Sequence, residues 1–75
     1  MSKRIQIQAG VCHGKPVIRG TRILVSTILG ALAAGDSQEM ILEDCPGLSR
    51  DDITAALEFG SQLSGYQELA YDAAA

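Results

Sequence analysis

Apolar and polar positions along the chain follow two different periods. In "KRIQIQ", residues 3–8, they alternate, placing Ile5 and Ile7 on one face and Arg4, Gln6 and Gln8 on the other. Period-two alternation predicts a half-buried strand. After the turn-prone "AGVCHGKP", the stretch "VIRGTRILV" at residues 17–25 reads as a second extended segment, with Thr21, Ile23 and Val25 on one side and Arg22 on the other. The two segments can form a small antiparallel ribbon in which Gly20 marks a bulge or bend. A two-stranded ribbon is barely stable alone, so it must pack on helices or pair with a second chain.

From Ser26 the spacing becomes helical. Ser26 is the expected N-cap, Val25, Ile28, Leu29 and Leu32 form the apolar stripe, and Gly35 stands where a left-handed C-cap residue belongs, which predicts a helix over 26–34. Asp36 and Glu39 have the spacing of a capping box for a second helix over 37–44, carrying Met40 and Ile41 and stopped by "CPG". Ser49 caps a third helix, with Asp51 and Asp52 in its first turn and Ile53, Ala56, Leu57, Gly60 and Leu63 along one face. Small residues at 55, 56 and 60 would let another helix come close. The second and third helices, joined through Gly47, match the helix-turn-helix pattern, so the fold class is mainly α with a small β element.

Length limits what this body can do alone. A chain of 75 residues buries only about 60% of the surface its unfolded form exposes, so a homo-oligomer, a dimer or higher, is the expectation. No apolar run approaches the roughly 18 residues of a membrane span, and "MSKRIQIQ" has no apolar signal core, which predicts a cytoplasmic protein without membrane contact. Cys12 and Cys45 lack Cys-x-x-Cys spacing and only one histidine accompanies them. We read both as packing residues, with no disulfide framework, zinc site or other cofactor indicated. Catalysis is not expected. Cys12 and His13 are neighbours whose side chains would diverge in an extended segment, the first 35 residues hold no carboxylate, and "GVCHGK" lacks the spacing of a phosphate-binding loop.

Charge is unevenly distributed. Residues 1–35 hold Lys3, Arg4, Lys15, Arg19 and Arg22 and no acid, whereas residues 36–75 hold all nine acids and one base, Arg50. A half of +5 is thus joined to a half of -8, giving the net -3. Such asymmetry points to partners of opposite charge, or to halves that neutralise each other in an oligomer. In a helix-turn-helix protein the second helix of the motif reads DNA, but here its outward positions are Arg50, Asp51, Thr54 and Glu58, and the acids oppose phosphate binding. The candidate DNA-binding residues are therefore Arg4, Lys15, Arg19 and Arg22 on the ribbon, with Arg50 the base on the third helix. The alternative is structural: Arg22 caps helix carbonyls or pairs with an acid of the second half. Residues 61–75 form a tail that either continues as helix or is weakly ordered, and Leu63, Tyr66, Leu69 and Tyr71 are its candidate partner-binding anchors.

The run "GKPVIRGTRI" at 14–23, followed by "AAG" at 33–35 and by "PGL" at 46–48, closely resembles the bacterial domain-of-unknown-function family 433. The resemblance covers about residues 5–60, leaving 61–75 as an appended tail. Leu24 and Cys45 depart from it, since proline and an aromatic residue are frequent there. The resemblance implies a homeodomain-like three-helix domain preceded by a β ribbon. It further implies an antitoxin of a two-gene toxin-antitoxin pair, whose partner resembles a PIN-like ribonuclease; in such a protein the acidic tail would cover the toxin, and autoregulation by DNA binding is the accompanying expectation. The alternatives are a stand-alone DNA-binding regulator and a non-catalytic oligomerisation or interaction module.

Overall fold

The computed structural model describes residues 3–64. Two short strands, β1 (Ile5–Gln6) and β2 (Val17–Ile18), pair antiparallel with Ile5 opposite Ile18 and Gln6 opposite Val17. The ladder stops at Gln6 because the next position on β2 is Pro16, which has no N–H to donate. Ile7, expected on the buried face with Ile5, is consequently 51% exposed while Ile5 is 3% exposed.

The stretch 17–25 is not one strand but two pieces folded back on each other. Gly20, at φ 81°, turns the chain within Ile18–Thr21, whose ends are joined by the Thr21 amide donating to the Ile18 carbonyl at 3.0 Å. A positive φ at the third position of such a turn favours glycine. The Thr21 hydroxyl donates to the same carbonyl at 2.8 Å and accepts from the Ile23 amide at 3.0 Å. The Ile18 amide then donates to the Ile23 carbonyl at 3.0 Å and Leu24 bridges Val17, so β2 lies between β1 and the returning chain. Before it, Cys12, His13 and Gly14 wind a single left-handed turn with φ of 49°, 58° and 77°. Cys12 and His13 are therefore not in extended backbone. Left-handed geometry costs a residue with a Cβ roughly 1–2 kcal/mol, so the surrounding bonds must hold this turn. They include Lys15 N–H to the Cys12 carbonyl at 3.2 Å and the Cys12 thiol to the Arg22 carbonyl at 3.6 Å. Cys12 and Cys45 are both free thiols, half-buried.

Three helices follow: α1 (Val25–Ala33), α2 (Gln38–Asp44) and α3 (Arg50–Ser64). Ser26 does not cap α1. The bridge to Val17 holds Leu24 extended, the Val25 amide donates to the Pro16 carbonyl at 3.0 Å, and the helix begins one residue early with no side-chain cap. Gly35 does close it, at φ 98°, with Gly35 N–H to the Leu32 carbonyl and Asp36 N–H to the Ala31 carbonyl, both 3.0 Å. That is the double bond pattern of a Schellman end. Because Asp36 is engaged there, the cap of α2 moves one residue on: the Ser37 hydroxyl accepts from the Met40 amide at 3.2 Å.

The core is Ile5, Val17, Ile18, Val25, Ile28, Ile41, Ile53, Ala55 and Ala56. Its main seam runs between α1 and α3, whose small residues allow close approach. A Cβ added at Gly60 would lie 3.0 Å from Leu29 Cδ1. The expected α3 face is right for Ile53 and Ala56, but Ala55 is buried in place of Leu57, which is 44% exposed, and Leu63 is 71% exposed. Length accounts for Leu63: at about 1.5 Å per residue, the nine residues of α1 cannot cover the fifteen of α3. Leu57, by contrast, lies before Phe59 and Gly60, which still face α1, and is on the outward side of the helix.

Candidate functional site

The start of α3 is a closed polar network. Ser49 and Asp52 cap each other, with the Asp52 amide donating to Ser49 Oγ at 3.3 Å and the Ser49 amide to Asp52 Oδ2 at 3.0 Å. Asp52 Oδ1 accepts from Arg4 Nη1 at 3.0 Å, and Asp51 Oδ2 lies 3.4 Å from Arg4 Nη2. Burial pushes the Asp52 carboxyl up, but the Ser49 amide, the Arg4 guanidinium and the Ser49 hydroxyl together outweigh it and hold the group below its usual range. Arg4, expected on a DNA-facing ribbon, thus clamps β1 to α3. The Ser-x-x-Asp spacing of 49–52 is a capping signature visible in sequence; its third partner, 48 residues away, is not.

Arg50 is likewise engaged. It donates to Gln38 Oε1 at 3.1 Å and to Glu39 Oε1 at 2.7 Å, tying the first turn of α3 to α2. The Arg50 hydrogen bond, the Glu39 amide and the Arg50 charge hold the Glu39 carboxyl below its usual range. Around it, Glu43, Asp44, Asp51 and Glu58 are exposed, so the outer surface of α2 and α3 is acidic.

The other predicted cations remain at the surface. Lys3, Lys15, Arg19 and Arg22 are exposed and form no ion pair among the described residues. Arg19 is oriented by its Nε, which donates to the Lys3 carbonyl at 2.6 Å, leaving its terminal nitrogens outward. Among the described residues Arg22 meets no carboxylate, and the alternative of a pairing with an acid in a neighbouring chain stays open. Of the five predicted DNA-binding residues, three keep their charge available, and Lys3 joins them.

A third feature is an apolar cleft of about 360 Å³ between the start of α1 and the end of α3, walled by Pro16, Val25, Leu29, Phe59, Gly60 and Leu63. Lys15 is its charged lining residue. Leu63 is thereby placed at a surface able to take an apolar group; Tyr66, Leu69 and Tyr71 lie outside the described residues. Among the described residues, no three His, Cys, Asp or Glu side chains gather into a metal-binding group, and no helix is long and apolar enough to cross a membrane.

These features can be set beside known proteins. The family described as "Protein of unknown function (DUF433)" matches residues 5–60. The crystal structure of a DUF433 member from Anabaena variabilis superimposes with a TM-score of 0.78 at 36% sequence identity, over 89% of this chain and 68% of that one. No curated protein matches. The ribbon, the Gly20 turn and the three-helix body, the whole of the fold between β1 and Gly60, fall within the matched span, and the chain belongs to the DUF433 family.

Proposed function

We propose that this chain is a non-catalytic regulator that neutralises a basic, nucleic-acid-cleaving partner, as the antitoxin of a toxin-antitoxin pair neutralises a PIN-like ribonuclease. The observation that carries the reading is the exposure of unlike charges on different elements of the fold. Glu43, Asp44, Asp51 and Glu58 are exposed on α2 and α3, while Lys3, Lys15, Arg19 and Arg22 are exposed on the ribbon side. An RNA-cutting cleft is itself cationic, so the acidic helical face suits it and the ribbon does not.

The ribbon supports the second half of the reading, autoregulation by DNA binding in the cytoplasm. Arg19 is held by the Lys3 carbonyl and Arg22 carries no internal partner among the described residues. Both are therefore available to phosphates, and a homo-oligomer would double their number. A stand-alone DNA-binding regulator is the second reading, favoured by the same residues.

The test is co-expression with the product of the adjacent reading frame. A stable complex that loses ribonuclease activity, and regains it when Asp51 and Glu58 are changed to Lys, is the expected result. Failure of the two proteins to co-purify overturns the antitoxin reading. In a gel-shift assay on operator DNA, Arg19→Glu with Arg22→Glu should abolish the shift; an unchanged shift removes the ribbon from DNA recognition.

A further inference from the structure

The cleft between α1 and α3 combines an apolar wall with a cationic edge. Val25, Leu29, Phe59 and Leu63 supply most of the wall, and the two polar residues that line it are Lys15 and Ser26. No carboxylate lines it, although the chain carries nine and a net charge of -3. We infer that the cleft is a binding site for a small amphipathic anion, a monocarboxylate whose head group meets Lys15 while its apolar body lies along Leu29, Phe59 and Leu63.

Charge selects the head group. Lys15 is exposed and forms no ion pair among the described residues. Its ammonium offers three donors and no acceptor, which suits an oxyanion. Ser26, which does not cap α1, leaves its hydroxyl beside the same opening. One cation matches a head of single charge. A phosphate, at about -1.5 to -2, would keep charge uncompensated next to an acidic chain.

Size and lining select the body. At a liquid volume of about 30 Å³ for each water-sized group, the cleft's 360 Å³ takes about a dozen heavy atoms, the number in a ten-carbon carboxylate. Apolar walls with a few polar groups that fix orientation are the usual make-up of a small-molecule site. Leu63 is 71% exposed, more than Ile7, Met40 or Leu57, and it alone of these four lines the cleft. A ligand that merely sought apolar surface would find all four; one that also needs a cation finds Leu63. The inference is separate from the regulator reading, because Arg19 and Arg22, the cations assigned to DNA, do not line the cleft.

The test titrates decanoate into the full chain and follows methyl resonances. Saturable shifts are expected at Val25, Leu29 and Leu63, with Ile7, Met40 and Leu57 unmoved. Decylammonium, the same body with the opposite head, should bind about tenfold more weakly. Octanoate, two methylenes shorter, should bind about fivefold more weakly than decanoate. Lys15→Glu, a surface substitution that leaves the core untouched, should reverse the preference so that decylammonium binds the tighter. Equal affinity for the two heads, equal affinity for the two chain lengths, or a Lys15→Glu chain that still prefers decanoate overturns the inference. Shifts spread evenly over Ile7, Met40 and Leu57 overturn it as well, as does the absence of any saturable shift below the micelle concentration of decanoate.

Discussion

The two ends of α3 are built on opposite principles. At the amino end the capping side chains are matched inside the chain: Ser49 and Asp52 cap each other and Arg4 closes the set from β1. At the carboxyl end the apolar stripe runs past the helix it packs on, and Phe59, Gly60 and Leu63 face an open cleft. The closed end fixes where the helix begins and fastens the ribbon to the body. The open end leaves Leu63 and the cleft wall exposed to solvent. A basic residue near a DNA-binding motif is therefore no guide by itself, since Arg4 belongs to the first end.

This contrast can be broken by substitution. Ala56→Leu, at a fully buried position on the closed part of the seam, should cost about 2–3 kcal/mol through overpacking, read as a lower urea midpoint. A smaller loss would mean the seam is as loose as the cleft. Asp52→Ala removes the reciprocal cap and the nearer carboxylate of Arg4, and should cost about 1–2 kcal/mol in the same assay.

The pH dependence sharpens the second case. Asp52 has a folded pKa held below its unfolded one, so its contribution is fully present above the unfolded value. It is lost as pH falls through the folded value. The stability difference between the natural chain and Asp52→Asn should thus be constant above about pH 5 and shrink in more acid solution. A difference that grows with acid would refute the clamp.

Gly60→Ala should have the smallest effect, within about 0.5 kcal/mol. Its new Cβ meets only the end of the Leu29 side chain, at 3.0 Å, which can swing toward the cleft, while alanine favours the helix by about 1 kcal/mol. A large loss would show that the cleft is rigid and already filled.

Much of the fold was legible from local pattern. Gly35 ends α1 because a left-handed position favours glycine, "CPG" separates α2 from α3 because proline and glycine stop helices, and Ser49 begins α3 because its hydroxyl satisfies a free amide. Each of these is settled within a few residues. The errors cluster where a distant backbone intervenes. Ser26 is not the cap of α1, since the Pro16 carbonyl takes the Val25 amide. Ile7 is not buried, since Pro16 ends the ladder that would have held it. The shift of the α2 cap from Asp36 to Ser37 is the local exception, since the Asp36 amide is drawn into the Schellman closure on Ala31, five residues back.

The candidate site divides the same way. Charge segregation, the +5 and -8 halves, is a property of the linear chain, and so is the presence of apolar anchors after Gly65. Which cations stay at the surface was decided by the tertiary structure alone. Arg4 and Arg50 meet carboxylates because β1 and α2 pack beside the first turn of α3, whereas Arg19 and Arg22 stand on the turn side of the ribbon and pair with no acid among the described residues. The physical reason is range: caps, turns and periodicity are satisfied by neighbours along the chain, while ion pairs and clefts depend on the relative placement of whole elements, which side-chain packing of α1 on α3 sets.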